Sequence, residues 1–160
     1  VSTRTTTAAV AVAAAFLLAA CSSGSSHDAS AKPATAAAAA KLSTTWVPKL
    51  KALAGGDGMK DCSTDSGSSG CAKAIADSVG LFTQITDAIG VAGGADQYSP
   101  TITKITELVG DADTYTKDSC PGDPNADIDG SPCPKDALAV VVGVSALQMV
   151  MQTDEANAGA

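Results

Sequence analysis

The sequence predicts an all-α protein, a small up-down four-helix bundle stapled by two disulfides, placed after a lipoprotein signal peptide and a flexible linker. Three observations predict the bundle. Four apolar segments carry their large residues three or four positions apart, the repeat of one helix face. Glycine pairs, prolines and Asp-rich stretches punctuate them, with no sign of a partner strand. Beyond residue 21 the chain holds an even set of cysteines, Cys62, Cys71, Cys120 and Cys133, which reads as two bridges. The expected divisions are 1–20 for the leader, 21–33 for the linker, 34–152 for the helical domain and 153–160 for a disordered tail.

The first segment covers residues 35–54, with Leu42, Trp46, Leu50 and Leu53 at helical spacing. Pro48 interrupts it and predicts a kink or a split near Val47. Gly55-Gly56 ends it, and Gly55 to Gly58 reads as a linker-type turn. The second segment covers residues 72–91. Ile75, Val79, Phe82 and Ile89 form its stripe, flanked by Leu81 and Ile85, and Gly93-Gly94 closes it. The third opens at Ser99-Pro100, a plausible N-cap followed by proline at the first helical position. Ile102, Ile105, Val109 and Ala112 carry it to about Thr116. The fourth follows Cys133-Pro134 to about Met151. From Ala137 to Met151 its only polar side chains are Ser145 and Gln148. Fifteen residues fall short of a membrane span, so a central bundle helix, or one shared with a second copy, is expected. Trp46 and Tyr115 read as packing residues, and Glu107 as a solvated helix residue.

Alternating helix directions put both cysteine loops at the end away from the N-terminus. Sequence-local pairing, Cys62 with Cys71 and Cys120 with Cys133, is preferred; cross-loop pairing stays geometrically open. Each local bridge is worth about 3 kcal/mol in loop entropy. A four-cysteine zinc site is disfavoured, because the tight Cys-x2–4-Cys knuckles are missing.

The chain has 160 residues and a net charge of −7, with 15 Asp, 2 Glu and one arginine, Arg4. Past residue 20, nine lysines face seventeen acids, net −8. Such a chain is a poor binder of nucleic acid, which needs clustered cations. Ten of the acids lie in the two cysteine loops and their flanks: Asp57, Asp61, Asp65, Asp111, Asp113, Asp118, Asp123, Asp127, Asp129 and Asp136. Only Lys60, Lys117 and Lys135 accompany them. The bundle therefore predicts an acidic distal tip that attracts cations or a basic protein.

The first twenty residues read as an export signal. Arg4 precedes an apolar run from Ala8 to Ala20, too short to span a bilayer. It ends in Leu18-Ala19-Ala20-Cys21, which resembles the lipobox of bacterial lipoproteins. The resemblance covers residues 1–21. It implies lipidation of Cys21 and anchoring by acyl chains at the extracytoplasmic face of the plasma membrane. The Ala-, Asp- and Thr-rich composition looks like that of a high-GC Gram-positive source. His27, the only histidine, falls in the polar linker and reads as solvated.

Asn125-Ala126-Asp127-Ile128-Asp129-Gly130 matches the opening of a calcium loop: oxygen ligands at alternate positions, then glycine for the turn. Ser131 and Asp136 fall at positions 7 and 12. The segment to Cys133 also resembles the short extracellular calcium repeat called Excalibur. Asn125 and Pro134 depart from that family's pattern, which has Asp and Glu there. The resemblance implies Ca²⁺ ligation by Asn125, Asp127, Asp129, Ser131 and Asp136. The same residues are also turn formers. No other cofactor is expected.

An enzyme is not expected. The chain has one linker histidine, no arginine past the leader and paired cysteines, which leaves no triad or thiol nucleophile. The leading expectation is a lipid-anchored surface protein whose acidic tip serves an interaction or envelope accessory role. Calcium binding, a small hydrophobic-ligand carrier and a homodimer through the C-terminal apolar helix are the alternatives.

Overall fold

The structure, a computed structural model, describes residues 41–158. The leader, Cys21, His27 and the linker lie outside them. The described chain is all-helical, with α1 Ser43–Ala54, α2 Asp57–Asp61, α3 Ser69–Val91, α4 Ser99–Lys117 and α5 Cys133–Ala158.

α1 runs unbroken through Pro48. Proline lacks one N–H, which costs the helix a single bond. Trp46 and Leu50, four apart, provide its buried stripe, and Lys49 lies 4.1 Å from the Trp46 ring centroid. The expected linker turn at 55–58 is in part helix. Gly56 is the N-cap of α2, and buried Met59 anchors that short element.

Ser68 starts α3, its Oγ accepting from Cys71 N at 3.1 Å. The buried stripe is Ile75, Ser78, Phe82, Ile85 and Ile89, at steps of three and four. Val79, expected on the stripe, is half-buried beside it. Ser78 is tolerated inside because its Oγ donates to Ala74 O at 2.7 Å. In α4, Ser99 is the first helical residue rather than the cap. The N-cap is Tyr98, which makes no side-chain cap bond.

α5 extends seven residues past Met151, through the segment expected as a disordered tail. Its buried stripe, Val140, Val144, Leu147, Met151 and Asp154, keeps helical spacing. Asp154 Oδ2 accepts from Thr101 N at 3.0 Å and Thr101 Oγ1 at 2.6 Å, supplying the missing cap of α4. Glu155 Oε1 accepts from Ser43 N at 2.6 Å and from Tyr98 Oη at 2.6 Å; Oε2 accepts from Ser43 Oγ at 2.5 Å. Tyr98 Oη in turn accepts from Leu42 N. Two carboxylates thus sit on the positive ends of α4 and α1. The residues that looked like a polar tail are what hold that end together.

These bonds place the starts of α1 and α4 beside the end of α5. The four long helices therefore alternate in direction, up-down-up-down. α4 and α5 approach closely at Gly143, where an added Cβ would come 1.9 Å from Leu108 Cδ2. By length and composition α5 is the described helix able to cross a membrane, and 39% of its most apolar window is buried within the domain.

Candidate functional site

The opposite end gathers both disulfides. Cys62–Cys71 joins α2 to α3, and Cys120–Cys133 joins the end of α4 to the start of α5, in the sequence-local pairing. The two loops are also knitted to each other. Gly122 N donates to Gly67 O at 2.9 Å, and Tyr115 Oη donates to Ser66 O at 2.7 Å. Gly67 has to be glycine, since an added Cβ would lie 2.2 Å from Asp123 O. Burial, then the charges of Asp127 and Asp65, push the Tyr115 phenol up, so it stays a donor. Tyr115 and Trp46 are packing residues, as expected.

The ten acids read from the sequence are all in this assembly. Asp57, Asp65, Asp113, Asp118, Asp127 and Asp129 are exposed; Asp61, Asp111 and Asp123 are half-buried; Asp136 is buried. Lys60 pairs with Asp57 at 2.9 Å, both exposed, a contact worth little in water. Ile128, flanked by Asp127 and Asp129, is 61% exposed.

The residues of the expected calcium loop are placed as follows. Among the described residues no three His, Cys, Asp or Glu side chains are placed to hold a metal. Asp127, the second ligand of the expected loop, is engaged elsewhere: Ser66 N and Ser66 Oγ donate to its carboxylate, the latter at 2.7 Å. Ser131 Oγ accepts from Cys133 N. Asn125 and Asp129 are exposed, and Asn125 N donates to Asp123 Oδ1 at 2.9 Å in an Asx turn. Asp136 is buried, and its Oδ2 has no hydrogen-bond partner. Asp127 and Ser131 thus accept from protein donors, while the side chains of Asn125 and Asp129 face solvent.

Two clefts open on the surface. One, of about 330 Å³, lies between α1, α2 and α3 and is lined by Met59, Asp61, Lys73 and Asp77. Lys73 bonds Asp77 at 2.6 Å within it. The other, of about 240 Å³, separates α3 from α4 near Val79, Asp113 and Tyr115. Beside α5, Leu108 packs directly against Gly143.

Sequence reasoning missed the Asp154 and Glu155 ties and the Ser66–Asp127 tie. A signal existed for the first: Asp154 continues the stripe of Leu147 and Met151 by a step of three. Fold and site together define a class, a disulfide-stapled helical domain with one acidic end. No protein-family model matches the chain, and neither does any curated protein or solved structure.

Proposed function

We propose that the chain is an exported lipoprotein, tethered through Cys21, that presents its acidic end to a basic partner without catalysis. The observation carrying this reading is directional. α1 begins at the Glu155 end, and the acids and disulfides lie at the other. An N-terminal tether would hold the acidic end outward. Ile128 adds an exposed apolar anchor inside an acidic rim, the make-up of a recognition patch. Asp65, Asp113 and Asp129 are exposed and serve as probes of charge alone. Their joint change to Asn should leave unfolding unchanged and weaken low-salt binding of a decalysine peptide by about tenfold or more. Equal binding by parent and variant would remove the acidic end as the binding face. For the tether, Cys21→Ser should release the protein into the medium; continued membrane retention would contradict lipidation.

A specific observation favours a second reading, self-association through α5. Leu138, Val142 and Met149 lie on one stripe and are 50%, 59% and 63% exposed. Antiparallel pairing of two such helices sets Leu138 against Met149, Val142 against Ser145 and Lys135 against Gln152. It also keeps the two acidic ends apart, where parallel pairing would bring them together. Val142→Glu should abolish any concentration-dependent dimer in sedimentation, and a monomer at all concentrations would end this reading.

A further inference from the structure

The groove between α3 and α4, about 240 Å³, opens at the disulfide-tied end. Its walls are largely apolar. Ile75, Ala76 and Val79 come from α3, Tyr115 from α4, and Pro121 from the loop that follows Cys120. Val79 is half-buried, and Ala76 and Pro121 are exposed, so this apolar surface meets water rather than another helix. One charged side chain, Asp113, belongs to the lining. It is exposed, and among the described residues it joins no ion pair; Lys117, one turn further along α4, makes none with it. The larger cleft differs on this point, because its Lys73 and Asp77 already satisfy each other.

Size and chemistry together select the occupant. Pockets that enclose a whole small molecule run from about 300 to about 1,000 Å³, and this groove is smaller. It suits one inserted side chain. Apolar walls with a carboxylate on the rim match a side chain with an aliphatic stem and a cationic head, which is lysine or arginine. Arginine fits better. Its guanidinium can engage both oxygens of an unpaired carboxylate at once. It is also less strongly hydrated than an ammonium, so it gives up less on entering an apolar groove.

We propose that the α3–α4 groove is a binding site for an arginine side chain of the partner, with the stem along Ala76 and Val79 and the guanidinium on Asp113. The site rests on the reading that the acidic end meets a basic partner, and it names what that partner presents. The surrounding acids draw the cation in from a distance, and the groove decides which cation is kept.

The test compares deca-arginine with decalysine, each titrated at low salt against the full chain with its disulfides intact. The parent should bind deca-arginine about tenfold more tightly than decalysine. Arginine also outbinds lysine on other acidic surfaces, so the variants decide. Ala76→Leu fills the groove without changing a charge, and Asp113→Asn removes the carboxylate at nearly equal size. Each should cut the arginine-to-lysine ratio by about fivefold or more. Asp65→Asn, an exposed acid outside the lining, should weaken both peptides alike and leave the ratio in place. A ratio unmoved by either groove variant, or lowered as much by Asp65→Asn, overturns the proposal and leaves the acidic end standing as the binding face. Binding of neither peptide overturns that reading and the site with it. Should Ala76→Leu fail to fold, Asp113→Asn decides together with methyl NMR of Val79. Those signals should shift with deca-arginine and stay in place with decalysine; a shift with both peptides, or with neither, refutes the site.

Discussion

Removing the Asp154 carboxylate should cost the domain a large part of its stability. Asp154 is 4% exposed and Thr101 is fully buried, so water does not replace the lost bonds. Asp154→Ala leaves two buried donors, Thr101 N and Thr101 Oγ1, without their acceptor. Loss of a helix cap costs about 1–2 kcal/mol. A buried donor stripped of a charged acceptor costs about 1.5–3 kcal/mol. The two overlap at Thr101 N, so the total is about 2–4 kcal/mol. For a domain of this size that is a fall of roughly 8–16 °C in Tm. The assay is urea and thermal unfolding of the parent, Asp154→Ala and the control Asp96→Ala, whose side chain is exposed. The control should change by less than about 0.5 kcal/mol. Thr101→Val should recover part of the loss in an Asp154→Ala background, because it removes the orphaned hydroxyl. If Asp154→Ala unfolds with the control, residues past Met151 contribute nothing and the account of the α1–α4–α5 junction is wrong.

Other expectations follow from single contacts. Gly143→Ala drives a Cβ into fully buried Leu108 and should cost about 1–3 kcal/mol by denaturant unfolding; Leu108→Ala in the same chain should relieve part of that cost. Tyr115→Phe leaves Ser66 O without its donor and should cost about 1–2 kcal/mol, with faster amide exchange in both cysteine loops. Burial works to raise the Glu155 carboxyl, but the donors Ser43, Tyr98 and Leu42 N–H outweigh it and hold it below its ordinary 4.5. Its contribution is therefore present above that value and lost as pH falls through the folded one, so Glu155→Gln should flatten the acid limb of stability against pH. Burial and Glu155 push the Tyr98 phenol up to about 12, so its donated bond persists through the neutral range. Intact mass before and after alkylation should show no free thiol among Cys62, Cys71, Cys120 and Cys133; two or more would contradict the bridges.

Much of the fold was legible because helix periodicity is local. α3 and α4 needed only their three-and-four spacing and the glycines or proline at their ends. The local pairing of the cysteines was preferred but left open against cross-loop pairing, and the shared acidic end followed from alternating helix direction. Long-range partners were not legible. Asp127 reads both as a calcium ligand and as a turn former because the two roles use the same residue types; its hydrogen-bond partner, Ser66, lies 61 residues away in sequence. Asp154 and Glu155 looked like a tail because polarity was read without the helix ends they cap. α2 escaped notice because five residues with an internal glycine carry too little periodicity to register. Ser78 hid in the stripe of α3 because its hydroxyl is satisfied by its own helix.

The central claim is that the acidic, disulfide-tied end meets the partner and the α1-start end does not. Ile128 and Val91, 61% and 92% exposed, stand on the cysteine loop and at the end of α3, where an apolar side chain can be exchanged without touching the core. A photo-crosslinking residue placed at each in the full chain on intact cells compares the two ends directly. The account predicts adducts from position 128 that disappear when Asp65, Asp113 and Asp129 are Asn, and none from position 91. Adducts from position 91 alone, or adducts from 128 indifferent to those three charges, would contradict it.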